Sequence, residues 1–258
     1  MIHADLILAA RLEKAAAALG IDAVDAHRRL FAHSEARALA CGSGVAVFLN
    51  EDSPLTQVRG AGMDDLDLDA VEAFFAERVA PVSFTLTPFA SAALWTRLSR
   101  REYEIGQFEN VLIRAVTPDD LVDDPEVVLA ADPEEWARMM AEAFFGDVSS
   151  MGLDLARTLH AVSTCRSLIV RAGEVPAAGA QIDIREGLGI FQCDGTLSPF
   201  RELGLQTKLI RARLALAAES GCDLVTADTV PGSQSQRNYE RLGFQVAYTK
   251  TTLIKPCF

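Results

Sequence analysis

The sequence predicts an α/β protein in which two halves share one order of elements. Helical segments alternate with short apolar, strand-like runs along most of the 258 residues, which is the order of a mixed sheet flanked by helices. The series helix, strand, helix, long strand occurs at residues 68–116 and again at residues 205–254. A repeated series of elements indicates a duplicated fold, so we expect two lobes.

The boundary between the lobes is predicted near residue 117. Residues 117–135 contain eight acidic side chains and no basic one, together with three prolines that interrupt regular structure. We therefore divide the chain into residues 1–116 and 117–258. The acidic side chains are interpreted as those of a solvated connector, and the alternative is an acidic lip that attracts a cationic amine.

Residues 1–116 are predicted to alternate helices and strands. Gly20 falls inside the first helix and is expected to break it, because glycine is a poor helix former. The expected helices cover residues 4–31, 68–78 and 91–100, and the expected strands cover residues 45–49, 82–86 and 109–116.

Residues 117–258 contain clearer signals for helix ends. Asp132 is a candidate N-cap with Pro133 at the first helical position, and Gly221 is a normal helix stop. Residues 186–189 predict a hairpin turn. The expected helices cover residues 134–145, 153–162, 205–220 and 233–242, and the expected strands cover residues 127–131, 167–171, 178–185, 190–197, 223–227 and 244–254.

The composition argues against several classes of protein. A net charge of −12 disfavours the phosphate backbone of nucleic acid as a partner. No run in the sequence approaches the about 20 apolar residues of a membrane-spanning helix. The five cysteines form no CxxC pair, and the four histidines have no metal-ligand spacing. We therefore expect reduced thiols at Cys41, Cys165, Cys193, Cys222 and Cys257, no metal site and a cytoplasmic protein.

One loop has the features of an anion site. Residues 196–204 lead from a strand through Ser-Pro and Arg201 to Gly204, and a long helix follows. The first amides of a helix lack intrahelical acceptors and lie at its positive end, and glycine lets a phosphate approach the backbone. Thr207 adds a hydroxyl donor, and Arg201 and Lys208 add positive charge. The alternative is an ordinary strand-to-helix turn that contains a glycine.

Two segments in this region resemble a known family. Arg201-Glu-Leu-Gly204-Leu-Gln206 resembles the Arg/Gln-x-x-Gly-x-Gly/Ala loop of the GNAT superfamily of acyl-CoA-dependent N-acyltransferases. Asn238-Tyr239-Glu240-Arg241-Leu242-Gly243-Phe244 resembles that family's closing Tyr-Glu-Lys-Leu-Gly-Phe segment. The resemblance covers residues 126–254. It implies a GNAT-like α/β fold with a mixed, mostly antiparallel sheet flanked by helices, and an N-terminal half that is a degenerate, non-catalytic repeat.

The resemblance implies acetyl-CoA as the co-substrate. Backbone amides of residues 203–207 would hold its pyrophosphate beside Arg201, and Leu197 would offer backbone groups to the pantetheine arm. The strand would separate there from its neighbour to admit the thioester. Tyr239 would stand near the sulfur and protonate the leaving thiolate. The donor-binding residues implied in this way are Leu197, Arg201, Leu203, Gly204, Leu205, Gln206, Thr207 and Ser235.

The chain departs from the family pattern at two positions. Gln206 stands where the last loop residue is usually Gly or Ala, so the donor site is expected to be reshaped. Gly232 stands where the family often has Asn, about seven residues before the tyrosine. Ser233 or Ser235 would take over the hydrogen bonds of that Asn.

The reaction also needs a base, because an amine attacks a thioester only in its neutral form. Asp194 is preferred, since it lies three residues before Leu197, and Asp183 is the second candidate. The alternative is that both carboxylates face solvent. Tyr239 as the acid competes with a role in core packing, and Cys193 as a nucleophile competes with a role as a small apolar residue.

These features together predict an N-acetyltransferase that acts on a primary amine of a small molecule. A non-catalytic acyl-CoA-binding protein of the same fold is the alternative, and an acyltransferase for protein lysines or N-termini is a third possibility. Residues 58–62 superficially resemble a phosphate loop, but the carboxylates that follow would repel a pyrophosphate. The N-terminal lobe is therefore expected to wall the acceptor cleft. Two fused lobes favour a monomer, with a dimer as the alternative.

Overall fold

A computed structural model describes residues 2–122 and 124–256, and their contacts divide them into two compact units. Unit 1 comprises residues 3–110 and 247–256, and unit 2 comprises residue 2 and residues 111–246. This division differs from the predicted one, because the C-terminal strand is assigned to unit 1. Asp123 of the acidic stretch and Cys257 of the predicted thiols lie outside the described residues.

Unit 1 is built around the first half of the sequence. Its elements alternate as predicted, with two additional short strands near the N-terminus. In chain order they are α1 (Leu6–Leu30), β1 (Arg37–Cys41), β2 (Gly44–Phe48), β3 (Gln57–Arg59), α2 (Leu68–Ala76), β4 (Val82–Leu86), α3 (Ala92–Arg100) and β5 (Glu104–Ala115).

Unit 2 contains the elements that surround the predicted donor loop. They follow the predicted order, with ends that differ by a few residues. In chain order they are β6 (Val127–Leu129), α4 (Pro133–Phe145), α5 (Ser150–His160), β7 (Cys165–Ala172), β8 (Val175–Arg185), β9 (Leu188–Thr196), α6 (Leu205–Glu219), β10 (Leu224–Thr229) and α7 (Gln234–Arg241). The last strand of the chain is β11 (Gln245–Lys255).

The two units have the same strand arrangement. In unit 1, β1, β2 and β3 are antiparallel neighbours and β3 is parallel to β4. In unit 2, β7, β8 and β9 are antiparallel neighbours and β9 is parallel to β10. Parallel neighbours need a crossover connection, which α2 supplies in unit 1 and α6 in unit 2. The shared topology confirms the predicted pair of related lobes.

Each unit takes a strand from the end of the other half of the sequence. β11 pairs antiparallel with β4 of unit 1. β5 belongs to unit 2 beyond Asn110, where it lies beside β10 and the Thr226 hydroxyl donates to the Leu112 carbonyl at 3.0 Å. This exchange explains why contacts assign the C-terminal strand to unit 1.

The first helix contradicts one prediction. α1 continues through Gly20, which was expected to break it. A Cβ at this position would lie 2.9 Å from Cγ2 of Val47, so the glycine allows α1 to pack closely on β2. Two strands were not predicted from the sequence: β1, which is largely exposed, and β3, which is only three residues long.

Helix ends in unit 2 follow the sequence signals. Asp132 caps α4 by accepting the Glu134 amide at 2.9 Å, and Pro133 is the first helical residue. Gly221 follows α6 with a φ of 71°, a left-handed conformation that suits glycine after a helix. These predictions are confirmed.

Helices cover both faces of the unit 2 sheet. Leu209 and Leu214 of α6 share an apolar cluster with Ile182 of β8. Met140 of α4 lies against Gly179 on the opposite face. Within residues 2–122 and 124–256, no helix is long and apolar enough to cross a membrane.

A buried ion pair joins α1 to β11 within unit 1. Glu13 pairs with Lys250 at 3.1 Å and also accepts a hydrogen bond from the Tyr248 hydroxyl at 3.1 Å. Both charged side chains are buried. A buried charge is tolerated only while its partner is present, so this pair makes the position of β11 depend on α1.

Lys250→Met is expected to lower the free energy of unfolding by about 3–5 kcal/mol, because Glu13 would lose its buried counter-ion. Urea denaturation followed by circular dichroism measures the change. Lys14→Met removes an exposed lysine beside Glu13 and should change stability by less than about 0.5 kcal/mol. Equal, small effects of the two substitutions would contradict a stabilising role for the pair.

Candidate functional site

Two parallel strands separate within the sheet of unit 2. The pairing of β9 with β10 ends at Phe191 and Ala227, although β9 continues to Thr196 and β10 to Thr229. The unpaired ends leave an opening between the strands. This is the separation that the sequence analysis expects beside Leu197.

A β-bulge lies in β9 next to this opening. Cys193 and Asp194 together face a single residue of β8, Ala180. Cys193 has a φ of 57°, in the left-handed region that non-glycine residues seldom adopt. A bulge of this kind redirects the side chain that follows it, and here Asp194 is directed toward α6.

The start of α6 is open. Gly204 is the N-cap residue, with a φ of 76° and no side-chain cap. The first intrahelical hydrogen bond runs from the Lys208 amide to the Gly204 carbonyl at 3.2 Å. Within the described chain, the amides of residues 205–207 therefore have no acceptor. A Cβ at Gly204 would meet no atom within 4 Å, so the loop presents unpaired N–H groups at the positive end of a helix.

The positive charge near this loop is smaller than predicted. Lys208 forms an ion pair with Glu126, and the hydrogen bond to that carboxylate raises the pKa of the lysine. Arg201 is exposed, and its Nε donates to the Thr196 carbonyl at 3.4 Å. Among the described residues, Arg201 has no carboxylate partner, so it is the predicted cation that stays available to a ligand.

Gln206 links α6 to α7. Its side-chain nitrogen donates to the Ser235 hydroxyl at 2.8 Å, and its side-chain oxygen accepts from Asn238 at 2.7 Å. The side chain is therefore held toward α7 rather than across the loop. Ser233, the other serine expected near the donor, caps α7 by accepting the Gln236 amide at 3.1 Å.

The backbone groups of Leu197 already have partners within the protein. Its amide donates to the Ala177 carbonyl at 3.0 Å, and its carbonyl accepts from the Phe200 amide at 2.9 Å. The amide is thus already bonded within the protein and is not available to a pantetheine arm. The remaining predicted loop residues surround the open helix start, with Leu203 exposed.

A buried cluster joins β9, α6 and α7 beside the bulge. Arg213 is 0% exposed and Tyr239 is 1% exposed. Arg213 Nη2 donates to Oδ1 of Asp194, and the Tyr239 hydroxyl donates to Oδ2 of the same carboxylate. Arg213 Nη2 also donates to the Tyr239 hydroxyl oxygen at 3.2 Å. Asp194 and Tyr239, which were predicted separately, are therefore in direct contact.

In this cluster, both candidate catalytic side chains already have hydrogen-bond partners within the protein. Each oxygen of Asp194 accepts a hydrogen bond, and the side chain is 16% exposed. Burial raises the pKa of the Tyr239 hydroxyl well above its usual value, while the charge of Arg213 opposes that shift. The prediction of an independent base and an independent acid is therefore not what this geometry favours.

The other sequence candidates lie elsewhere. Asp183 is 0% exposed, pairs with Arg185, and has one oxygen without a partner in the described chain. It follows Ile182, which faces α6, so it points to the opposite face of the sheet from the Asp194 cluster. Cys193 packs against the apolar cluster around Trp136. The structure thus brings Asp194 and Tyr239 together and separates them from Asp183.

Two residues of the site were missed by the sequence analysis. Arg213 occupies the apolar face of α6, between Leu209 and Ala217 at helical spacing, and a charged residue at such a position is a usable signal. Thr229 ends β10 and has a buried hydroxyl with no hydrogen-bond partner in the described chain. No sequence signal marks Thr229.

The counterpart of α6 in unit 1 begins differently. Asp67 caps α2, and its carboxylate accepts the amides of Asp69 and Ala70, each at 3.1 Å. Gly60, in the segment that superficially resembles a phosphate loop, packs on α1, where a Cβ would lie 2.5 Å from the Glu13 carbonyl oxygen. In unit 1 an acidic side chain therefore occupies the position that is open in α6.

Most acidic side chains of residues 117–135 have structural partners. These contacts support the interpretation of the segment as a connector rather than as an acidic lip. Asp120 pairs with Arg114, Glu126 with Lys208, Glu134 with Arg157 and Glu135 with Arg171, and Asp132 caps α4.

Solved structures identify the fold, whereas no family model and no curated protein matches the sequence. The chain is similar to a GCN5-related N-acetyltransferase from Kribbella flavida, with a TM-score of 0.65 and 21% identity, covering 93% of this chain and 95% of the other. It is similar to a tandem GNAT protein from the clavulanic acid biosynthesis pathway, with a TM-score of 0.56 and 13% identity, covering 83% and 79%.

A third similar structure is a GCN5-related N-acetyltransferase from Sphaerobacter thermophilus, with a TM-score of 0.55 and 16% identity, covering 73% of this chain and 66% of the other. All three identities are low, so these similarities concern the fold. The chain has a GNAT fold, as the resemblance in residues 126–254 implies, and the tandem neighbour agrees with its two related units.

Tyr239→Phe is expected to lower the free energy of unfolding by about 1–3 kcal/mol, because Asp194 and Arg213 would each lose a buried hydrogen bond. Thermal and urea denaturation measure this loss. Tyr103→Phe is the control, since its hydroxyl donates at 3.2 Å to Glu72, a carboxylate that keeps Arg101 and Lys255 as partners. A smaller loss for Tyr239→Phe than for Tyr103→Phe would contradict the cluster.

Proposed function

We propose that this protein transfers an acetyl group from acetyl-CoA to the primary amine of a small molecule. The neutral amine nitrogen attacks the thioester carbonyl carbon, a C–N bond forms and the C–S bond breaks. The nitrogen loses one proton and the sulfur gains one, so the products are an amide and the CoA thiol. The reaction needs no oxidant or reductant.

The open start of α6 is the observation that most directly supports this function. Three consecutive amides and a glycine without steric obstruction suit a pyrophosphate, because the N-terminus of a helix binds anions through its N–H groups and dipole. Arg201 adds a charge beside the loop. The side chain of Gln206 does not interfere, since Ser235 and Asn238 hold it toward α7.

The opening between β9 and β10 suits the arm that leads to the thioester. Buried hydroxyl groups nearly always have a hydrogen-bond partner, and the Thr229 hydroxyl has none in the described chain. A polar group of the donor in this opening would supply one. Leu197 is assigned no amide contact in this proposal, because its N–H is bonded to Ala177.

Asp194 and Tyr239 are proposed to act as one hydrogen-bonded pair rather than as separate base and acid. The carboxylate of Asp194 is the counter-ion of the buried Arg213 guanidinium, so it is committed to that ion pair. The raised pKa of Tyr239 lies above the value of about 8.5 typical of a thiol, so transfer of its proton to a thiolate is unfavourable. The pair instead orients the bulged end of β9 beside the thioester.

The proposal also covers the acceptor, which is an amine, and the number of donor sites, which is one per chain. The N-acetyltransferases of this fold support an amine as the acceptor. Asp67 occupies the start of α2, which supports one donor site per chain and a non-catalytic unit 1. A small acceptor and a cytoplasmic monomer remain our predictions.

A non-catalytic acyl-CoA-binding protein is the second candidate. The commitment of Asp194 and Tyr239 to Arg213 favours it, because both side chains are already engaged in hydrogen bonds within the protein. A thiol-release assay with acetyl-CoA and a library of amines separates the candidates. Amine-dependent thiol release supports the transferase, and donor binding without thiol release supports the second candidate.

Gly204→Asp is expected to abolish the binding of acetyl-CoA and CoA. The new carboxylate would accept the amides of α6, as Asp67 does in α2, and would repel a pyrophosphate. Isothermal titration calorimetry with both ligands measures the affinity of the wild type and the variant.

Gly204→Asn is the matched control, because it has the same shape without the charge and tolerates a positive φ. Weaker binding by the Asp variant than by the Asn variant is expected. If wild type and Gly204→Asp bound acetyl-CoA with equal affinity, the start of α6 would not be the donor site.

Glu126→Gln is expected to tighten acetyl-CoA binding by about two- to fivefold at low salt, since Lys208 would be released toward an anionic ligand. Calorimetry at two salt concentrations measures the gain, which should shrink at the higher one. Glu219→Gln, at the other end of α6, is the control for net charge. An identical gain for both variants would show that Lys208 has no specific role.

A further inference from the structure

The side chain of Arg213 connects the elements that form the opening. From α6 it reaches the Asp194 carboxylate of β9 and the Tyr239 hydroxyl of α7. Its Nε donates to the Leu209 carbonyl of its own helix at 3.2 Å. The guanidinium is fully buried, and its hydrogen bonds within the described part of the chain do not involve the open loop at the start of α6.

The guanidinium also bonds the backbone at the bulge. Arg213 Nη1 donates to the Gln181 carbonyl at 3.3 Å and to the Gln192 carbonyl at 3.5 Å. Gln181 and Gln192 are register partners in β8 and β9, and the bulge at Cys193 follows immediately. The arginine therefore fixes the backbone at the point where β9 changes its register.

The same group covers the start of the opening. Its central carbon lies 4.5 Å from the centroid of the Phe191 ring, and Phe191 is the last residue of β9 paired with β10. One guanidinium thus contacts the last paired residue, the carbonyl before the bulge, the carboxylate after it and the phenol of α7.

Stability alone explains such an arrangement poorly. Burying a charged pair is costly, and well-packed apolar residues often serve equally well or better. The pair instead fixes the orientation of the groups around it, because the planar guanidinium of an arginine bonds several acceptors at fixed angles. A lysine has one compact charge and cannot reproduce this set of contacts.

We propose that Arg213 is the positioning residue of the transfer site, which holds the bulge, Asp194 and Tyr239 in place beside the opening. It acts on the reaction through these groups and touches no substrate. The inference rests on the proposed acyl transfer. It predicts that Arg213 controls turnover and leaves the affinity for the donor unchanged.

Arg213→Lys keeps the charge and loses the fork. We expect its kcat, measured by thiol release at saturating amine, to fall at least about 100-fold, since small displacements of oriented groups have effects of this size. We expect its affinity for acetyl-CoA, measured by calorimetry, to stay within about twofold of wild type. Arg211→Met, an exposed arginine on the same helix, should retain both values.

A second variant separates orientation from folding. Arg213→Met combined with Asp194→Asn removes both charges, so it is expected to fold and to bind acetyl-CoA. A large loss of kcat in this folded variant supports the positioning role. A folded variant of either kind, single Lys or double, that retains the wild-type kcat overturns it, and so does a loss of donor affinity that matches the loss of kcat.

The wild type distinguishes this inference from the proposed function. If the wild-type protein neither binds acetyl-CoA nor releases thiol with any amine, the proposed function is refuted and the inference falls with it. If the wild type turns over and Arg213→Lys turns over equally well, only the positioning role is refuted.

Discussion

The enclosed charge of Arg213 is the constraint on which the arrangement around the opening depends. A guanidinium without solvent requires a counter-ion and acceptors for its N–H groups. Asp194 supplies the counter-ion, and the carbonyls of Gln181 and Gln192 supply acceptors. Asp194 reaches the arginine only because the bulge at Cys193 redirects β9. The guanidinium therefore contacts the residues on both sides of the bulge, the buried phenol of α7 and the last paired residue of β9.

The two related units differ at the start of one equivalent helix, which is capped by a side chain in unit 1 and uncapped in unit 2. α2 and α6 occupy the same topological position, each connecting a pair of parallel strands. In α2 the amides bond the carboxylate of Asp67, whereas in α6 Gly204 leaves them open. The capped helix gains stability from its own side chain. The open helix forgoes that gain and leaves its first amides without a side-chain cap.

Local patterns in the sequence predicted the local structure well. The caps at Asp132 and Gly221, the turn after β8 and the open loop at Gly204 all follow from signals within a few residues. The errors arise where distant parts of the chain meet. Gly20 lies in an unbroken helix at a point of close approach to Val47, and no sequence pattern reveals the exchange of β5 and β11.

Contacts between distant parts of the chain also limited the prediction of side-chain roles at the candidate catalytic residues. Alternation along β9 places Asp194 on a face, but the bulge changes that face, and the partner that occupies the carboxylate comes from α6. A base inferred from its distance along the strand to Leu197 is thus a member of a buried ion pair. The sequence singles out Asp194 near the end of β9, whereas the ion pair of Asp194 with Arg213 is visible only in the structure.

Helix α6 contributes both the open amides and the buried guanidinium, and this pairing has a physical consequence. Gly204 and Arg213 are nine residues apart, which corresponds to about 13 Å along a helix. A helix packed on a sheet is stiff, so the distance between the anion site and the bulge is fixed by the fold. A donor bound by its phosphates at the start of α6 would place its reactive group near the bulge that Arg213 holds from the same helix. Binding and orientation then remain separate tasks of residues that share a single helix.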